Sequence, residues 1–179
     1  MIIEHEEKVE SDFEGTIFDI ETVGSFGRSP DSRRYKEVRQ VILGYIDRAG
    51  LRIYCARDHE GVEELKKKTP EIIKALSRPF YAFNCEFESG VWFHHAGVEV
   101  VFDGELQSQR FEKKLDVVRM LRIPNYDDPF FDDGFKCLEA WNRNDFDKAV
   151  AHNRACLLKE RDILLKRKCT QPHCLAFVR

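Results

Sequence analysis

The sequence has no apolar run near the ~20 residues that a helical membrane span needs, which excludes a membrane-spanning helix. Its start, MIIEHEEKVE, lacks the charged-then-apolar order of a signal peptide, so a cytoplasmic location without membrane partners is expected. There is no C-x-x-C pair. Cys169 and Cys174 are the only closely spaced cysteines, and a zinc finger or ribbon usually opens on a tighter pair. In a reducing compartment Cys55, Cys85, Cys137, Cys156, Cys169 and Cys174 read as thiols or metal ligands rather than disulfides. Excess positive charge is missing too. The net charge is -3, so no global basic footprint marks nucleic acid, and any phosphate contact must come from local clusters or bound cations. Glutamine is scarce beside Lys, Glu and Arg, a bias that suits high temperature. No internal repeat and no second-domain boundary can be found.

What is present is the composition of a packed domain. Hydrophobic residues make up 42% and charged residues 34% of 179 positions, enough for one full core. Residues 1–12 read as an acidic lead-in that could remain unstructured, residues 13–168 as the folded domain and 169–179 as a tail. Thr16–Ile20 reads as a short buried strand, followed by a loop from Val23 to Arg34. Gln40–Asp47 and Leu51–Ala56 form a hairpin across Arg48-Ala49-Gly50.

Helical spacing then covers Gly61–Lys68 and, after Thr69 as N-cap, Pro70–Leu76. Phe80–Phe83 is a second buried strand, Glu86–His95 a helix stopped by Gly97, and Val98–Phe102 another strand. Leu115–Leu121 is a helix or a strand running into one. Pro124–Gly134 is an acidic loop, and Lys136–Trp141 and Asp145–Arg167 are helices. Trp92 and Trp141 fall at core spacing. Hairpin strands, then strand–helix alternation, then a long final helix give an α/β domain with a mixed β-sheet flanked by helices.

The sharpest local pattern is Phe18-Asp19-Ile20-Glu21-Thr22. In a strand, residues two apart share a face, so Asp19 and Glu21 point together, and paired anions repel unless a cation lies between them. Further along, Phe83-Asn84-Cys85-Glu86-Phe87-Glu88 joins a strand end to a helix carrying acids. On the last helix, His152, Cys156 and Glu160 recur at four-residue spacing and share one face.

Together these stretches resemble the three motifs of the DEDD superfamily of 3′–5′ exonucleases, which have the ribonuclease-H-like fold. Asp19 and Glu21 match the first motif. Glu88 falls where the second motif has aspartate. Ala151-His152-Asn153-Arg154-Ala155-Cys156 matches the branch whose third motif reads H-N-x-x-D, with Cys156 at the aspartate position.

The resemblance implies a metal-dependent 3′–5′ exonuclease hydrolysing phosphodiester bonds at single-stranded DNA or RNA ends. Asp19, Glu21, Glu88 and His152 would be catalytic, and Asp19, Glu21 and Glu88 would hold Mg²⁺ or Mn²⁺. Glu160 would replace the missing fourth acid from one turn, ~5.4 Å, along the helix; behind it stand Asp162 and then Asp127–Asp133. Two such ions about 4 Å apart activate water and neutralise the leaving oxygen, and His152 would orient that water or take its proton. Thr22, Asn84 and Phe87 would position the nucleotide, with Arg33 and Arg34 of the basic loop on phosphates. Asp116 reads as an acid favoured at a helix start. The competing reading is a domain that kept this fold and lost catalysis, acting as a nucleic-acid-binding or protein-interaction module, with Cys156 as the scar.

Overall fold

The computed structural model describes all residues from Met1 to Arg179. Strands β1 (Ile2–Glu7), β2 (Thr16–Gly24), β3 (Val38–Asp47) and β4 (Gly50–Ala56) precede helix α1 (His59–Ala75). Strand β5 (Phe80–Ala82), helix α2 (Cys85–Val91), strand β6 (Gly104–Glu105) and helices α3 (Lys114–Met120), α4 (Gly134–Asn142) and α5 (Phe146–Lys166) follow. The six strands form one sheet in the order β1-β4-β3-β2-β5-β6. β1 through β2 pair antiparallel, whereas β2–β5 and β5–β6 pair parallel. This is the expected α/β class, and the mixed sheet is compatible with a ribonuclease-H-like one.

Several expectations need correction. Ile2–Glu7, read as part of an acidic lead-in, is an edge strand in register with β4, because its alternate residues Ile3, His5 and Glu7 turn partly inward. α1 is one helix and not two: Pro70 lies inside it, and Thr69 turns its hydroxyl back to the Leu65 carbonyl at 2.8 Å. Val98–Phe102 is not a strand. That part of the sheet is the short β6 beside β5, and Val100 and Phe102 are buried as side chains of an irregular segment.

The hairpin closes one residue earlier than expected, Asp47 pairing with Gly50 while the Asp47 carboxylate accepts from the Ala49 and Gly50 amides. All six cysteines are free thiols. No helix is long and apolar enough to cross a membrane.

α5 lies across β2, β3 and β4 on one face, and α1 covers β3 and β4 on the other. Contact with α5 is close at Gly44, where a Cβ would come within 2.0 Å of Asn153 Oδ1. Phe18 anchors the core under α2, meeting Phe80 and Trp92 edge-on at 5.2 Å between ring centres. β2 is the strand where the sheet changes from antiparallel to parallel pairing. β5 follows it only as far as Phe18, so one edge of β2 is open from Asp19 onward. A bulge after Glu21, which skips Val41 on β3, ends the regular ladder there.

Candidate functional site

Asp19 and Glu21 project from the open end of β2 into a cleft of about 170 Å³ that Asn84, Phe87 and Glu88 of the α2 start also line. His152 and Cys156 of α5 line it as well, together with Lys114 and Asp132. The strand end, the α2 start and the α5 face thus meet at one place. Glu160, wholly buried, lies one α5 turn deeper. Asp162 turns away and accepts from the Tyr126 hydroxyl at 2.5 Å. Asp116 is an exposed acid in the first turn of α3.

Thr22 sits at the bulge and is not among the lining residues. Arg33 forms a bidentate pair with Asp31 at 2.9 and 2.7 Å. Arg34 approaches Glu86 at 3.6 Å. The basic loop is therefore partly neutralised by its own neighbours.

The charges inside the cleft are arranged in two groups. In one, Lys114 Nζ lies 2.9 Å from Asp19 Oδ1 and 2.5 Å from Glu160 Oε1. Asn153 donates to the other Asp19 oxygen at 2.7 Å and to the Asp19 carbonyl at 3.1 Å. Burial disfavours the ammonium, but Asp19, Cys156 and Glu160 raise its pKa well above the usual lysine range. Burial, reinforced by the charges of Glu160 and Asp19, pushes the Glu88 carboxyl well up, and burial does the same for Glu160. Their neutral, protonated forms are favoured.

In the other group, His152 Nδ1 contacts Asp128 Oδ1 at 2.8 Å, and its Nε2 lies 3.5 Å from Glu21 Oε1. Asp128 also accepts from Lys159 at 2.7 Å, and Lys159 reaches Asp132 at 2.9 Å. Burial opposes a charged His152, yet Cys156, Glu21 and Asp128 together favour it. Glu21 is pushed up to about 7, mainly by burial, with Asp19 adding to the effect. A histidine held in its charged form donates through both nitrogens and is a poor proton acceptor.

Lys114, Asn153, Asp128 and Lys159 carry much of this geometry. Sequence reasoning missed Lys114 and Lys159 and gave Asn153 no role of its own. Asp128 was reached only as part of the acidic loop. Asn153 stood beside His152 in the matched motif, whereas nothing local distinguishes Lys114 from the exposed Lys113.

The donor set does not fit two hard divalent ions. Mg²⁺ requires oxygen ligands in near-octahedral array, yet Asp19 and Glu160 are bridged by an ammonium and a thiol stands at Cys156. Glu21, His152 and Cys156 instead offer one oxygen, one nitrogen and one sulfur, all within 4.8 Å of one another. Such a mixture matches Zn²⁺ better than Mg²⁺. The buried Cys137 thiol is not part of this group; its Sγ donates to the Ala149 carbonyl at 3.8 Å.

A second cleft, about 140 Å³, adjoins the first and shares Asn84 and Phe87 with it. Its walls are Phe26, Tyr35, Phe87 and Phe111, with Arg34, Arg110 and Glu86 between them, the Glu86 carboxylate lying 2.8 Å from Arg110 and 3.6 Å from Arg34. Phe26, Tyr35 and Phe87 pack as a triad with centroids 6.0–6.1 Å apart. The guanidinium of Arg34 lies 5.4 Å from the Tyr35 ring centre, and that of Arg110 5.4 Å from the Phe111 ring centre. Phe26 is 57% and Phe111 79% exposed.

Compared with protein-family models, curated proteins and solved structures, the chain matches none, so a functional reading rests on the geometry of these two clefts.

Proposed function

We propose that this domain binds single-stranded nucleic acid across the two joined clefts, and that its buried polar centre shapes and stabilises the binding face rather than hydrolysing the strand. The observation that carries this reading is the aromatic and arginine cleft leading into the carboxylate cleft through Asn84 and Phe87. Bases stack on aromatic rings whatever their sequence, and the interleaved guanidinium groups of Arg34 and Arg110, which share the single Glu86 carboxylate, leave net positive charge for backbone phosphates. Phe131 and Phe135 are also exposed, at 64% and 67%, and flank Asp132 and Gly134 at the lip of the first cleft. Exposed aromatics on both sides of a polar groove suit an unpaired strand better than a duplex, whose bases are already stacked.

A second reading is favoured by one specific observation: Asp19, Glu21, Glu88 and His152 line a single cleft. It is a metal-dependent 3′–5′ exonuclease, as the motif resemblance implies. It requires Lys114 to leave the carboxylates before Mg²⁺ or Mn²⁺ can enter.

Fluorescence anisotropy with labelled single-stranded DNA and RNA over a range of salt concentrations separates the readings. Base–aromatic stacking is worth about 1–3 kcal/mol per base, so Phe26→Ala and Phe111→Ala, both at exposed positions, should each weaken binding about fivefold or more. Binding to neither polymer, or equal binding by the variants, overturns the proposal. Cleavage in Mg²⁺ or Mn²⁺ that Asp19→Asn abolishes establishes the exonuclease reading instead.

A further inference from the structure

The placement of Lys114 has no local explanation. It is the first residue of α3, where the helix dipole disfavours a cation, and its side chain is only 16% exposed. A lysine is seldom so enclosed unless paired. Its reason lies across the fold, where Asp19 and Glu160 converge on its Nζ from β2 and α5 at 2.9 and 2.5 Å, and the Phe83 ring lies 5.5 Å away.

Around that ammonium stand the buried carboxyl groups of Asp19, Glu88 and Glu160, three acids to one cation. Glu88 Oε2 is buried without a hydrogen-bond partner, although its residue lines the cleft and is 3% exposed. Such an oxygen costs free energy unless a cation or proton satisfies it.

We infer that Lys114 is a tethered cation filling a latent hard-metal site, so that the chain itself closes the Asp19–Glu88–Glu160 centre to Mg²⁺ and Mn²⁺. The ammonium supplies one charge and up to three donors on a flexible stem. It can therefore bridge oxygens from separate elements as a divalent ion would. Asn153 completes the closure by holding the second Asp19 oxygen. Removing the ammonium leaves preformed oxygen donors from β2, α2 and α5 with no cation among them, and a hard divalent ion that displaces the Glu88 and Glu160 protons meets the ligands it prefers. The inference does not depend on nucleic-acid binding, because Mn²⁺ alone is its probe.

The test counts bound Mn²⁺ by electron paramagnetic resonance and follows its effect on thermal unfolding. It uses the wild type, Lys114→Ala, Lys114→Met, and Lys114→Ala combined with Glu160→Gln. Glu160 lies outside the Glu21, His152 and Cys156 set, so its loss reports on this centre alone. The wild type should show no Mn²⁺ site sensitive to Glu160→Gln. Lys114→Ala should gain one ion and, at Mn²⁺ about tenfold above its Kd, unfold about 3–6 °C higher; the added Glu160→Gln should abolish both effects. Lys114→Met keeps the bulk of the stem and serves if the alanine variant does not fold.

A Glu160-dependent Mn²⁺ site in the wild type overturns the inference. So does a folded Lys114→Ala or Lys114→Met protein that gains no ion. Failure of both variants to fold, with Mn²⁺ unable to rescue either, overturns it as well, since the ion should replace the missing charge.

Discussion

Lowering the pH should expose the cost of a buried histidine that lines neither cleft. His95 is 3% exposed, and its Nδ1 accepts from the Gln40 amide at 3.0 Å. That residue's side chain is fixed in turn, its Oε1 accepting from Trp92 Nε1 at 2.7 Å and its Nε2 donating to Thr69 Oγ1 at 3.2 Å. Burial, with smaller effects from the charges of Arg39 and Lys66, lowers the His95 pKa from 6.5 to about 4. A depressed pKa means that the unfolded chain takes up the proton first. Stability is therefore fully present above about pH 6.5 and is lost as pH falls toward 4.

At ~1.4 kcal/mol per unit the whole shift is worth about 3 kcal/mol. His95→Gln removes the titration and keeps an amide oxygen that can accept from Gln40. Urea unfolding at fixed ionic strength should show the wild type losing about 3 kcal/mol more than the variant between pH 6.5 and 4. The difference between the proteins isolates His95 from the carboxylates that titrate in both. Parallel pH profiles would refute the assignment.

Lys159 is wholly buried between Asp128 and Asp132. Lys159→Met should cost about 3–5 kcal/mol by leaving those carboxylates without their counter-charge; chemical denaturation measures it, and a loss below about 1 kcal/mol would contradict the ion network. Zn²⁺ should raise the unfolding temperature of the wild type through Glu21, His152 and Cys156, and Cys156→Ser should remove that rise. Equal stabilisation of both proteins would place any Zn²⁺ elsewhere.

The sequence by itself determined the elements that carry their own periodicity and punctuation. β2, the β3–β4 hairpin and α5 announce themselves through buried alternation, a short turn and a repeat at three and four residues. Chemistry that depends on spacing within one element was legible too: Asp19 and Glu21 share a face because a strand has period two, and His152, Cys156 and Glu160 share one because a helix turns every 3.6 residues. β1 escaped because an exposed, acidic edge strand has only a faint apolar pattern. It becomes a strand only by pairing with β4.

The charge balance of the cleft was decided by tertiary structure alone. Lys114 reads locally as one more exposed helix lysine beside Lys113, and Asp128 as one acid in an acidic loop. Only the fold brings Lys114 to Asp19, 95 residues earlier in the chain, and Asp128 to His152, 24 residues later. Coulomb interaction depends on distance and burial and not on sequence separation, so a motif can specify which carboxylates converge without specifying which cation meets them.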